Sequence, residues 1–280
     1  MKRQLANQNP LAGKRLTVLG AGKMGSILLE ALLGHGLLLP QHTRATVQHG
    51  DRARSVSRLG TAITTDNAKA VRGADIVLVC VKPGQVRGVL EEIAPVLGPK
   101  QLLVSIAASV PTAYMEKFLS AKIPVVRAMP NTPCAVGAGM TGLCKGTHAG
   151  QQHLELACLL FDAVGKTVVL DEKHMDAVTA LSASGPAYIY IILESLAEAG
   201  VKVGLPRDTA TLMAAQTTMG AARVVLETGD HPALLKDAVT TPAGCTIDGI
   251  LELEEGKLRV TLIKAVVKAA SRAKELLFAD

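Results

Sequence analysis

Three short stretches carry residues whose types and spacing could do chemistry. Gly20-Ala21-Gly22-Lys23-Met24-Gly25 has the GxGxxG spacing, follows the apolar run "RLTVLG" and opens the helical run "SILLEALLGHG". Glycines there permit a tight turn and close backbone approach, and the free N–H groups of the helix start would receive a pyrophosphate. In "LSASGPAYIYIILESL" (181–196), Pro186 falls inside an apolar helical run. Proline removes a backbone hydrogen bond there and costs about 3 kcal/mol unless it stands at a helix start. The spacing therefore predicts a new helix start at Ser184-Gly185-Pro186. A second start is predicted at Thr240-Thr241-Pro242, with the N–H groups of Ala243 and Gly244 unpaired. Two such starts in one apolar region suit an enclosed site for a small anion such as a carboxylate. Simple kinks or corners would give the same spacing.

The type of dinucleotide follows from the end of the second strand. An acidic residue there would bind a ribose 2′-hydroxyl. The segment instead reads "VQHGDRARS": Gln48, His49 and Gly50 bring no negative charge, and Arg52 and Arg54 suit a 2′-phosphate. NADPH is expected over NADH, with Asp51 as the opposing feature and a solvated charge run as the other account of the arginines.

These residues need elements to position them. The chain has 280 residues, 49% of them hydrophobic and 19% charged, enough for two domains without staples. Strand-like runs at 15–20, 43–50, 75–81, 101–107, 124–130 and 166–170 alternate with helical stretches, and their near-continuous apolar character predicts a parallel sheet covered on both faces. After Asp171 everything reads as helix: 174–199, 206–227, 232–239, 242 to about 254, and 258–277. The expected organisation is a flexible leader over 1–14, an α/β dinucleotide-binding domain over 15–172 and an all-α domain over 173–280. The helical half is too apolar to stand alone, so a homodimer, or an assembly of dimers, is expected through it.

Several classes of function are excluded or disfavoured. Five scattered cysteines without CxxC spacing suggest neither a disulfide framework nor zinc, and point to a reducing, cytoplasmic setting. The seven histidines show no metal-ligand spacing. With 2% aromatics and no Trp, the net charge of +6 does not make a nucleic-acid surface. The least charged helical segment, 177–193, contains Ser182, Ser184, Gly185 and Pro186 and is expected as a core helix instead of a membrane span.

Longer motifs sharpen this. "DAVTALSASGPAYIYIILESLAEAGVKVGLPRDTA" and "LKDAVTTPAGCTIDGILELE", together with "LGAGKMG", "VCVKPGQV", "SIAASV" and "MPNTP", strongly resemble pyrroline-5-carboxylate reductase, the family of the last step in proline biosynthesis. The resemblance covers nearly the whole chain after the leader. It implies an N-terminal Rossmann-type NAD(P)H-binding domain, an all-α dimerisation domain and an active site at their junction that also uses partner helices. By the same resemblance Asn67 would contact the adenosine ribose, and Val81-Lys82-Pro83 would flank the dinucleotide. Ala107, Ala108 and Asn131 through Pro133 would border the nicotinamide and substrate. The loop from Thr240 to Thr246 would hold the substrate carboxylate, with Thr246 bonding the imine nitrogen. The usual family loop, Ser-Pro-Gly-Gly-Thr-Thr, reads here Thr241-Pro242-Ala243-Gly244-Cys245-Thr246. Ala243 is expected to be helical, which alanine tolerates, and Cys245 to be a small buried residue.

Reducing a cyclic imine requires a hydride at carbon and a proton at nitrogen, but no strong protein base. A hydroxyacid dehydrogenase would want a base, typically a lysine on the long helix opening the second domain. Between His174 and Ala199 there is no Lys or Arg. A dimeric dinucleotide sensor is the other alternative, and the hydroxyl cluster Thr240, Thr241 and Thr246 is what it would not need.

Overall fold

The computed structural model describes residues 9–48, 56–119 and 122–275. Strands β1 (Leu16–Leu19), β2 (Thr43–Thr46), β3 (Ala62–Thr64), β4 (Ile76–Val79), β5 (Leu102–Ser105), β6 (Val125–Met129), β7 (Gly139–Lys145) and β8 (Gly165–Val169) form one eight-stranded sheet in the order β3-β2-β1-β4-β5-β6-β7-β8. Every residue of β1, β4, β5 and β6 is buried, which is why these runs are apolar without alternation.

The crossover helices cover both faces. Leu28, Leu29 and Leu32 of α1 (Lys23–Gly34) share a core with Leu16, Val18, Ile76 and Leu78. The opposite face packs Ala70 and Val71 of α2 (Asn67–Val71), Val86, Leu90 and Ile93 of α3 (Val86–Ile93) and Met115 of α4 (Thr112–Glu116) against Leu19, Val77, Val79 and Leu103. The spacing of Val86, Leu90 and Ile93 is the one-face repeat of an amphipathic helix. Helix α5 (Gln151–Asp162) lies on the same side as α1.

The sheet departs from the expected pattern in two places. Strand β3 is three residues long and only partly buried, too short to signal itself. Strand β7 is antiparallel to β6, pairing Arg127 with Cys144, so the sheet is not purely parallel. Glycines hide β7 in the sequence: a Cβ on Gly139 would fall 2.2 Å from Cys134 Sγ, and one on Gly142 would fall 2.7 Å from Val178 Cγ1. They weaken strand propensity and at the same time admit close neighbours.

By packing, the chain divides into two compact units, residues 1–183 with 269–280, and residues 184–268. The sheet ends at Val169, but Met175 is fully buried with Met129 and Cys144, so the chain stays with the first unit for some residues more. The segment expected as leader is ordered where described. Leu11 is fully buried in the sheet core, and Asn9 Nδ2 donates to Leu37 O at 2.9 Å.

In the second unit, α7 (Gly185–Lys202, following the short α6, Met175–Val178) packs on α8 (Arg207–Thr228). A Cβ on Gly200 would meet Ala210 Cβ at 2.8 Å, so glycine sets the closeness of the two helices. Then come α9 (Pro232–Ala238), α10 (Cys245–Glu255) and the first part of α11 (Leu258–Glu275). Among the described residues of this unit only Ala197, Ala210 and Ala214 are buried apolar side chains. In the segment expected as a core helix, 177–193, only Ala180 is buried, and the rest is partly or fully exposed within one subunit.

Candidate active site

Strands β1, β4, β5 and β6 are parallel neighbours, so the loops that follow them lie in succession along one edge. The chain leaves β1 toward β2 on one side and returns to β4 on the other. The turn after β1 thus sits at the switch point, where open α/β sheets bind their ligands.

The glycines of this turn form a cradle. Gly20 adopts φ +85°, and a Cβ there would lie 2.8 Å from Val81 Cγ1. A Cβ on Gly25 would lie 2.8 Å from Gly20 O, whereas one on Gly22 would meet nothing within 4 Å. The turn is therefore packed beneath and open above. Thr46 fixes it to β2, accepting from Gly20 N–H (3.1 Å, at Oγ1) and from Ala21 N–H (2.7 Å, at O). The first closed helical bond is Ser26 N–H to Gly22 O (2.9 Å), which leaves the N–H groups of Lys23, Met24 and Gly25 ahead of it. No acidic side chain stands in that first turn. These features fit a dinucleotide pyrophosphate.

The other expected cofactor residues are distributed around this edge. Val81 walls Gly20, and Lys82 and Pro83 lead into the short 3₁₀ turn Pro83–Gln85. Ala107 follows β5, buried, with its N–H on Ser105 Oγ (3.3 Å). Asn131 and Pro133 follow β6 at the turn Thr132–Val136. Asn67 opens α2 and gives both its N–H (3.1 Å) and its Nδ2 (2.8 Å) to the carboxylate of Glu92. His49 and Arg52, with Asp51 and Arg54, lie outside the described residues.

Of the two proline-marked segments, the first starts a helix where expected but without a side-chain cap, and the second starts one later than expected. Ser184 has φ −83° and ψ −24°, already helical, and its side chain caps nothing. The expected helix start is nonetheless there: the π-helical turn Thr179–Ala183 ends before Ser184, and α7 begins at Gly185 with Pro186 in its first turn. In the second segment α10 begins at Cys245, not at Pro242. Ala243 takes φ +56°, the left-handed conformation and not the helical one expected. Gly244 N–H is paired, donating to Thr241 O (2.9 Å), and Gly244 must be glycine because a Cβ would lie 2.4 Å from Thr241 Oγ1. Thr240 Oγ1 donates to Asp237 O (2.7 Å) and so closes α9. The N–H groups at this corner without a partner among the described residues are those of Ala243, as expected, and of Cys245 and Thr246. The side chains of Cys245 and Thr246 are exposed, so Cys245 is not the buried residue expected.

Two features escaped sequence reasoning. Ser109, two residues beyond Ala107, has φ +60° and a buried Oγ without a partner among the described residues. Arg127 is buried on β6, and its Nη1 donates to Glu172 Oε1 (3.0 Å) while Thr112 N–H and Oγ1 donate to the same carboxylate. The signal for the latter was a lone charge inside the apolar run "VVRAM". Beside this pair, burial foremost and then the Glu172 charge push the Cys144 thiol up to about 12.

A largely parallel sheet with a glycine cradle at its switch point, joined to a helical unit, defines a dinucleotide-dependent oxidoreductase. Residues 15–109 match the family model described as NADP oxidoreductase, coenzyme F420-dependent, and residues 172–276 match that for pyrroline-5-carboxylate reductase dimerisation. Pyrroline-5-carboxylate reductase of Methanosarcina acetivorans is 40% identical over 95% of this chain and 99% of its own, and that of Arabidopsis thaliana 40% identical over 95% and 97%. The solved pyrroline-5-carboxylate reductase of Coxiella burnetii superposes with a TM-score of 0.88 at 38% identity, covering 94% of this chain and 98% of that one. A Plasmodium falciparum pyrroline carboxylate reductase with NADP bound gives 0.85 at 29% identity, covering 95% and 98%. The chain belongs to the pyrroline-5-carboxylate reductase family.

Proposed function

We propose that this protein reduces 1-pyrroline-5-carboxylate to proline with NADPH. The observation that carries this is sequence identity of about 40% to reductases of that name over both units of the chain. A nicotinamide bound at this edge would supply the hydride that the imine carbon receives. The chain's own residues bind and orient. The N–H groups of Lys23, Met24 and Gly25 hold the pyrophosphate, Asn67 and Val81-Lys82-Pro83 flank the dinucleotide, and Ala107, Ala108 and the backbone of Asn131 through Pro133 border the nicotinamide. Arg52 and His49 take the 2′-phosphate side and favour NADPH over NADH.

The segment Thr240–Thr246 binds substrate, with the N–H groups of Cys245 and Thr246 on its carboxylate. Thr246 Oγ1 hydrogen-bonds the imine nitrogen, which gains one proton as the carbon gains a hydride, so the C=N bond becomes CH–NH. Positioning does most of this work, in keeping with the absence of Lys or Arg from 174–199. We assign residues 15–172 to dinucleotide binding and 173–280 to substrate binding and dimerisation. A dimer through the helical unit accounts for the exposure of Ile189, Tyr190, Ile191, Leu212, Met213 and Leu226 in one subunit. All five cysteines are free, in keeping with a cytoplasmic setting.

The test is the loss of nicotinamide absorbance when purified protein meets pyrroline-5-carboxylate, with NADPH and NADH in parallel. Turnover with NADPH ahead of NADH is expected. Tight NADPH binding without turnover would favour the dinucleotide sensor.

A further inference from the structure

Pro186 leaves a carbonyl without its helical partner, and the structure shows where that carbonyl goes. In an α-helix the acceptor four residues before Pro186 is Ser182 O, and proline has no N–H to offer it. The next candidate in a π-helical turn would be the N–H of Ala187, but that group donates to Ser184 O at 3.0 Å. Ser182 O is instead reached by Asn131 Nδ2 at 3.2 Å, from the loop after β6. The other end of the same amide is also engaged, since Asn131 Oδ1 accepts Met140 N–H at 2.9 Å at the start of β7. One partner is a backbone acceptor and the other a backbone donor, so the orientation of the amide is determined without ambiguity.

The braced turn has a specific neighbourhood. Val178 and Ala183, at either end of Thr179–Ala183, pack with Ala108 against Met129, Cys144 and Met175. Ala108 belongs to the loop after β5 assigned above to the nicotinamide border. We infer that Asn131 is a positioning residue: its side chain takes the carbonyl freed by Pro186, holds the π-helical turn, and so sets the apolar wall on which Ala108 rests. The inference rests on the reductase reading for its kinetic consequence, but not for the latch itself. Asn131 and Pro186 then form a coupled pair, in which the amide is needed because the proline is there.

The coupling gives the test. Asn131→Ala, Pro186→Ala and the double variant are made in the full chain. Pro186→Ala returns an N–H to Ser182 O and should relieve the need for Asn131. Two readouts are taken: kcat and KM with NADPH and pyrroline-5-carboxylate, and amide hydrogen exchange over residues 180–188, which needs no activity. Asn131→Ala is expected to lower kcat about tenfold, the scale of one lost hydrogen bond to a buried carbonyl. NADPH affinity should change less than about twofold, and exchange in the segment should rise. In the Pro186→Ala background the same substitution should cost less than about threefold in kcat and leave exchange near that of Pro186→Ala alone. An equal kcat loss in both backgrounds overturns the proposal in favour of direct contact between Asn131 and a ligand. Faster exchange with unchanged kcat overturns the positioning role and leaves a brace only. Should no variant, nor the parent, turn over the imine, the reductase reading fails, while the exchange arm still decides the latch.

Discussion

Arg127 Nη1 lies 3.0 Å from Glu172 Oε1, with the arginine side chain only 3% exposed, so a charge on the sixth strand is tied to the 3₁₀ turn Glu172–His174. Its Nε and Nη2 have no partner among the described residues, and the carboxylate is what keeps this cation tolerable. Removing one member of a buried pair leaves the other uncompensated. Glu172→Gln should therefore lower stability by about 3 kcal/mol, whereas the joint Arg127→Met, Glu172→Gln change should recover most of it. Urea unfolding of the three proteins decides this, and equal midpoints for parent and Glu172→Gln would refute it.

Ala243 sits at φ +56°, where a side chain costs about 1–2 kcal/mol and glycine pays back part of that in unfolded-state entropy. Ala243→Gly should stabilise the protein by about 0.5–1 kcal/mol and keep activity. Gly244→Ala should do the reverse, since its Cβ would sit 2.4 Å from Thr241 Oγ1 and 3.1 Å from Thr241 O. A rise of about tenfold in KM for the imine is expected as the corner is pushed out of shape. Melting curves and steady-state kinetics on the two variants check both halves.

Ser109 combines a left-handed backbone, φ +60°, with a buried hydroxyl that has no partner among the described residues. Ser109→Gly removes the strain and the unpaired group together, and a gain of about 1–3 kcal/mol is expected. If stability rises while kcat/KM falls, the hydroxyl serves a bound ligand, and the strain is held for function. A loss of stability would contradict the account.

Thr246→Val keeps the shape of the side chain and deletes its hydroxyl. Hydrogen bonds to charged or charging groups contribute about 1.5–3 kcal/mol. A fall in kcat/KM of about tenfold to a hundredfold is expected, with NADPH binding by fluorescence titration largely kept. Unchanged kinetics would move the nitrogen contact to another group.

The Cys144 thiol is held up to about 12 by burial and then by the Glu172 charge, and burial raises Cys80 in the same direction. An unfolded cysteine ionises near about 8.5. Above that pH the unfolded chain releases protons that the folded one keeps, so this contribution to stability is complete below about pH 8.5 and declines as pH rises toward the folded value. Urea midpoints should drop between about pH 7.5 and about pH 9.5, and drop less in Cys144→Ala. A midpoint independent of pH over that interval would exclude it.

Much of this molecule was written in local pattern. Apolar runs buried on both faces marked β1, β4, β5 and β6, β2 and β8 were legible although Arg44 and most of β8 are exposed, and the glycine turn announced its place directly after β1. Strand β7 was invisible because its glycines serve two neighbours, Cys134 and Val178, that lie elsewhere in the chain. The helical half was legible as helices, and its excess of apolar residues as an unpartnered surface. Where the pattern misled was at its corners. Pro242 suggested a helix start that comes only at Cys245, and Ala243 a helical residue, because the local rule assigns each to its cheapest conformation.

The sequence by itself determined the two-part architecture, the dinucleotide turn and the family, since each depends on residue type at short spacing. Tertiary structure alone decided the antiparallel β7, the left-handed Ala243 and Ser109, the Arg127–Glu172 pair, and the partner of the carbonyl that Pro186 leaves free. Those depend on groups 45 residues apart in the ion pair and 51 apart between Asn131 and Ser182. A buried polar group must be satisfied by whatever the fold brings beside it, and no spacing along the chain specifies what that will be.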